Sequence, residues 1–128
     1  MYIRNLRKPS ANKNVFKFAS HKIQSSTLCE SSLEKDCCFH FEYDPEVVAY
    51  ESQPQGFYYD FNGKTLPYTP DFLVHYKDGT RQFVENKPYK KTLSKEFKAK
   101  FKQMQIAAQQ LGSQLILVTD KQIRTGHF

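Results

Sequence analysis

The stretch Thr69-Pro70-Asp71-Phe72-Leu73-Val74-His75-Tyr76-Lys77-Asp78-Gly79-Thr80-Arg81-Gln82-Phe83-Val84-Glu85-Asn86-Lys87 decides how this chain folds. Two short apolar runs flank Lys77-Asp78-Gly79-Thr80, and Asp-Gly between such runs signals a β-hairpin. Asp71 stands at the mouth of the first strand. Glu85 and Lys87 stand two apart near the end of the second, so their side chains share one face of a sheet. Pro-Asp, a spacer of 13 residues and then Glu-x-Lys are thus gathered by two adjacent strands: acid, acid and ammonium.

The chemistry has a use for those three types. Two carboxylates held close repel unless a cation lies between them. Hard oxygen ligands select Mg²⁺ or Mn²⁺, and Mg²⁺ is commonly held by one or two carboxylates plus waters and substrate phosphates. A Lys beside the metal can orient the attacking water or stabilise charge growing on a phosphate. A plainer reading stands beside this one. A Glu and a Lys two apart on a strand often form only a solvated face, and the tripeptide by itself is common.

Working outward, residues 57–61 and 64–68 bracket Asn62-Gly63, a second hairpin signal, and residues 47–50 are a short apolar strand. Three or four antiparallel strands are therefore expected between residues 47 and 87. Upstream, Ser31 with Glu34 fits a capping box, and Leu33, Cys37 and Phe41 repeat every four residues. This predicts a helix that stops before Asp44-Pro45, because proline disfavours helix in its predecessor. Spacing alone assigns Glu34 to capping, with its carboxylate bonding back to the Ser31 amide.

Downstream, a helix is expected over residues 93–111. Phe97, Phe101, Met104, Ala108 and Leu111 make a core-facing stripe, and Lys95, Lys98 and Lys102 an outer face. Gly112 suits the position just past its end. Residues 114–119 read as a buried strand. Strand, helix, strand implies a parallel crossover beside the hairpin. The fold class is α/β, a mixed β-sheet flanked by helices with an α-β-β-β-α-β core.

At 128 residues, 39% hydrophobic and with 11 Phe and 8 Tyr, the chain is expected to form one globular domain. No apolar run approaches a membrane span and no signal peptide is seen, so no membrane partner is expected. Cys29, Cys37 and Cys38 are odd in number and lack a framework spacing, which points to a reducing cytoplasm. Cys37-Cys38-x-His40 invites a zinc reading. However, adjacent cysteines on a helix diverge and no second ligand pair follows at finger spacing, so burial as small apolar residues is the better account.

The net charge of +6 is unevenly spread. Residues 1–22 carry six bases and no acid, residues 30–60 eight acids against Lys35, and residues 87–102 seven lysines against Glu96. Basic patches around an acidic centre suit a metal-dependent enzyme on a polyanion, with Lys90, Lys91, Lys95 and Lys98 on phosphates. The alternative is a solvated helix face. Residues 1–27 read as an irregular basic arm, in which the alternating Val15-Phe16-Lys17-Phe18 is a short strand or a docking segment. The domain itself is expected over residues 28–128.

The order of these features resembles the PD-(D/E)xK nucleases of the restriction-endonuclease-like fold. The wording of Ser31-Ser32-Leu33-Glu34, Tyr43-Asp44-Pro45-Glu46-Val47-Val48-Ala49-Tyr50, Gln53-Pro54, Tyr68-Thr69-Pro70-Asp71-Phe72 and Val84-Glu85-Asn86-Lys87-Pro88 is similar to the TnsA family, specifically its N-terminal catalytic domain. The similarity runs from about residue 28 to 119. It implies a bacterial, cytoplasmic, Mg²⁺-dependent endonuclease (Mn²⁺ substituting) that cuts one strand of double-stranded DNA at transposon ends. Implied partners are a TnsB-like transposase and an ATP-dependent, TnsC-like regulator.

By the same resemblance Glu34, Asp71 and Glu85 are metal ligands and, with Lys87, the catalytic set. Gln53 is a candidate support for the site. Some family members carry Gln where this chain has Glu85. The family's C-terminal partner-binding domain is not expected within these residues. Two other functions fit the same residues: a stand-alone nuclease of repair or resolvase type, and an inert DNA-binding module of the same fold.

Overall fold

The computed structural model describes residues 16–29 and 31–125. Strands β1 (Phe16–Ser20) and β2 (Ser25–Cys29) form a hairpin ahead of helix α1 (Ser32–Tyr43). Strands β3 (Val47–Ser52), β4 (Phe57–Phe61), β5 (Lys64–Tyr68), β6 (Phe72–Tyr76) and β7 (Arg81–Asn86) follow. A 3₁₀ turn at Tyr89–Thr92 leads into α2 (Lys95–Gln110), then β8 (Gln114–Val118) and α3 (Asp120–Thr125).

The main sheet has the order β3-β6-β7-β8. The β3/β6 and β6/β7 pairs are antiparallel, and β7/β8 is parallel with α2 as its crossover. This is the mixed sheet flanked by helices that the periodicities predict. The strand count between residues 47 and 87 differs: five strands form, not three or four, and β4-β5 separates as a two-stranded sheet of its own. Pro67 in β5 lacks the amide that a central ladder requires. The hairpin instead buries Phe57, Tyr59 and Tyr68 against Phe101 and Ala108 of α2.

Alternation along the central strands divides the core in two. Phe72, Val74, Val84 and Val118 join Cys37, Cys38 and Phe41 of α1 on one face. Leu73, Phe83 and Leu115 join the α2 and β4-β5 residues on the other. Burial on both faces is why Phe72-Leu73-Val74 is continuously apolar.

Ser31 caps α1, accepting from the Glu34 amide at 3.1 Å, while its hydroxyl donates to the Glu34 carboxylate at 3.3 Å. Ser94 caps α2 through the Phe97 amide, so that helix starts two residues later than the stripe suggests. The residues before it form the 3₁₀ turn, closed by the Thr92 hydroxyl on the Tyr89 carbonyl. Phe101 and Ala108 are buried, and Leu111, past the helix end, is 37% exposed. Gly112 adopts φ +79°, which relieves the stop.

The N-terminal hairpin is part of the packed domain. Phe18 and Cys29 enter the α1 cluster, so the strand reading is the one that residues 16–18 follow, and the junction expected after residue 27 falls inside β2. Glu42 accepts from the Ser20 hydroxyl and from the His21 and Lys22 amides at 2.8–3.1 Å. The Lys22 ammonium donates to the carbonyls of Phe41 and Asp44, both at 2.6 Å, placing a cation at the negative end of α1. Val15 and the arm's Arg4, Arg7, Lys8 and Lys13 lie outside the described residues. Among the described residues, no helix is long and apolar enough to cross a membrane.

Candidate active site

The β6/β7 register pairs Phe72 with Val84, so its next step sets Asp71 opposite Glu85. Backbone groups fix Asp71 from three sides. Its amide donates to the Val84 carbonyl at 2.9 Å, and its carbonyl accepts from the Gln53 amide at 2.9 Å. Its carboxylate oxygen Oδ2 accepts from the Asn86 amide at 2.7 Å. Asp71 is only 8% exposed. Gln53 reaches it from a left-handed backbone conformation, φ 49°, just past β3.

Glu85 shares the α2 side of the sheet with Phe83, two residues earlier. Burial pushes its carboxyl up to about 9, and the hydrogen bond and negative charge of Asp71 add to this. The Tyr68 hydroxyl and the Lys87 ammonium act in the opposite direction. Under partial burial and beside the Asp71 charge, it is the Glu85 carboxyl that keeps its proton. Lys87 is steadied from α2, its Nζ lying 4.8 Å from the centroid of the Phe97 ring.

Glu34 belongs to the other layer. It is 5% exposed on α1, and its negative charge acts on Cys37 and Cys38, as that of Asp71 does on Cys37. Asp71 and Glu85 therefore meet at the β6/β7 pair, and Glu34 stands on α1, on the side of Cys37. Among the described residues, no three His, Cys, Asp or Glu side chains form a group that could hold a metal ion. Alternation through the end of β7 sends Glu85, and Lys87 just past the strand, toward α2 and sends Asn86 toward α1.

Two residues that sequence reasoning did not single out for their side chains complete the surroundings. Asn86 donates its amide nitrogen to Cys37 Sγ at 2.9 Å, tying the end of β7 to α1. Burial pushes the Cys37 thiol up to about 12, which keeps it neutral, and the Asn86 bond opposes this only in part. Tyr68, buried at the end of β5, acts on Glu85 by lowering its carboxyl. Strand alternation is the signal that could have found Asn86, since the middle residue of Glu-x-Lys must face the opposite layer. For Tyr68 no such signal exists, because β5 lies in a different sheet.

Lys90 and Lys91 on the 3₁₀ turn, and Lys95 and Lys98 on the first turns of α2, are all exposed and follow directly on Lys87. Gln53 meets Asp71 through its backbone amide. A cavity of about 430 Å³ lined by Tyr43, Tyr76, Gln82 and Ile116 lies at the far end of the strands and touches none of the candidate residues.

The donor chemistry fits a hard divalent cation. Asp71 and a Glu85 that otherwise keeps its proton are the oxygen ligands such an ion prefers, and its charge would replace that proton. Among families of known proteins, the model described as TnsA-like endonuclease N terminal matches residues 44–120. That span takes in Gln53, Asp71, Glu85 and Lys87, and begins after α1. No curated protein matches the chain.

Proposed function

The chain belongs to the TnsA-like endonuclease N-terminal family, and on that premise we propose that it is a metal-dependent DNA endonuclease. In this reading it nicks one strand at transposon ends by hydrolysing a phosphodiester. The observation that carries the proposal is the contact between Asp71 and Glu85, with Glu85 raised to about 9 and Lys87 at its side.

Asp71 and Glu85 would hold Mg²⁺, or Mn²⁺ in its place, and Glu34 would serve it directly or through water, since Mg²⁺ keeps much of its hydration. When bound, the ion would polarise the scissile phosphate and lower the pKa of a water. Asp71, anchored at its main chain by Val84 and Gln53 and at its carboxylate by the Asn86 amide, would present that carboxylate to the ion. Lys87, leaning on Phe97, would orient the attacking water and offset charge on the phosphate. Lys90, Lys91, Lys95 and Lys98 would grip flanking phosphates of the duplex. In-line attack leaves a 5′-phosphate and a 3′-hydroxyl. A TnsB-like transposase and a TnsC-like ATP-dependent regulator are the proposed partners.

A second reading, an inert DNA-binding module of the same fold, draws on the finding that among the described residues no three His, Cys, Asp or Glu side chains group to hold a metal ion. Nicking of supercoiled plasmid carrying a transposon end, with Mg²⁺ or Mn²⁺ titrated, separates the two. Asp71→Ala is expected to abolish metal-dependent nicking while DNA binding survives. Nicking that is unchanged in Asp71→Ala refutes the nuclease assignment. Salt-sensitive DNA binding with no metal response in the wild type favours the module.

A further inference from the structure

Cys29 at the end of β2 and Cys38 in α1 face one another inside the core. Their Sγ atoms are 3.6 Å apart and neither residue is exposed. Both are free thiols. Cys37, the neighbour in sequence, is engaged elsewhere, by the Asn86 amide. The hairpin is fastened to α1 by Glu42 and Lys22 at its turn. At its open end, where β2 hands over to the helix, the thiol pair occupies the equivalent position.

A disulfide needs its sulfurs about 2.05 Å apart. The pair is therefore short of bonding distance by roughly 1.5 Å, a gap that side-chain rotation and a small hairpin adjustment can close. We propose that Cys29 and Cys38 form a modification site, a dithiol that a peroxide oxidises to an intramolecular disulfide stapling the hairpin to α1. The proposal stands independently of the nuclease reading.

The roles of the two sulfurs differ. Either sulfur can donate in the bond they share; that bond lowers the Cys29 thiol despite burial and, with burial, raises Cys38. Cys29, as thiolate, attacks one oxygen of hydrogen peroxide. The O–O bond breaks, Cys29 becomes a sulfenic acid, and the hydroxide released takes a proton to leave as water. The Cys38 sulfur then attacks the Cys29 sulfur. The S–OH bond breaks, and hydroxide with the Cys38 proton leaves as a second water. Two thiols and one peroxide thus become one disulfide and two waters. Local opening of the hairpin admits the oxidant.

The test treats the full chain with hydrogen peroxide, quenches it, alkylates it under denaturing conditions and maps the peptides by mass. The expected result is the loss of two hydrogens per chain, a Cys29–Cys38 cross-linked peptide, and alkylation at Cys37 alone. Closing this short loop is expected to raise Tm by roughly 5–10 °C, reversed by dithiothreitol. Cys37→Ser should behave as the wild type, and Cys29→Ser should form no bridge and show no Tm shift. Over-oxidation of single cysteines, a bridge through Cys37, cross-linked dimers or an unchanged thiol count each overturn the proposal. The wild-type peptide map decides the matter even where a cysteine variant fails to fold.

Discussion

The backbone amide of Asn86 lies 2.7 Å from Oδ2 of Asp71, so the middle residue of Glu-x-Lys positions the acid through its main chain. The Asn86 side chain does something separate, bonding Cys37 on α1. The two roles can be pulled apart. Asn86→Ala should cost about 1 kcal/mol of stability in urea denaturation, the usual worth of one hydrogen bond, and leave Mn²⁺ affinity within about twofold. Asn86→Pro removes the amide proton as well and should weaken Mn²⁺ binding at least about tenfold by calorimetry, since bonds to charged groups are worth more. Equal affinities in the two variants would mean that the amide does not hold Asp71 for the metal.

Glu85 gives the protein a pH dependence of definite sign. Its folded pKa, about 9, lies above the 4.5 of an ordinary glutamate. The stability this group contributes is therefore complete below pH 4.5 and is lost progressively as pH rises toward 9. With chelator present, denaturation midpoints from Glu85 should fall between pH 5 and pH 8. Glu85→Gln should flatten that slope and be more stable than the wild type at pH 8, while losing nicking. Adding Mg²⁺ at pH 8 should stabilise the wild type with proton release and leave Glu85→Gln nearly unmoved.

The exposed lysines after β7 are expected to act on DNA and not on the metal. Each phosphate contact contributes about −0.9 to the slope of log K against log salt. Replacing Lys90, Lys91, Lys95 and Lys98 together by Ala should reduce that slope by about 2–4, at unchanged Mn²⁺ affinity. Fluorescence anisotropy over a salt series measures it. An unaltered slope would return these side chains to the status of a solvated face.

Glu42 offers a purely structural control. Burial works against its charge, but the bonds from Lys22, Ser20, His21 and Tyr50 outweigh that and lower its pKa. Glu42→Ala leaves those donors to water and should cost roughly 2 kcal/mol, with the N-terminal hairpin releasing first. Hydrogen exchange should show lost protection in residues 16–29 and retained protection in β6 and β7. A uniform loss across the sheet would show that the hairpin does not open as a separate unit.

Much of the site was legible because strand alternation and turn chemistry are local. Asp78-Gly79 set the β6/β7 register, and the register alone put Asp71 opposite Glu85. The stripe from Phe97 to Ala108 located the crossover. What escaped was decided between layers. Whether β4-β5 extends the main sheet or folds onto α2 depends on how Phe57 and Tyr68 pack, which no short window contains. The capping box located Glu34 on α1 but could not say which side of the sheet its helix would cover. The hairpin at residues 16–29 was half visible in Phe16-Lys17-Phe18; its second strand, Ser25–Cys29, has little apolar pattern and is set by pairing with the first.

Asp71 takes its place from main-chain groups of Gln53, Val84 and Asn86. Its address is thus written in peptide units that every non-proline residue supplies alike. The side chains at Val84 and Asn86 answer to other demands, Val84 to the α1 cluster and Asn86 to Cys37, so the acid's position and the packing around it are specified by separate parts of the same residues.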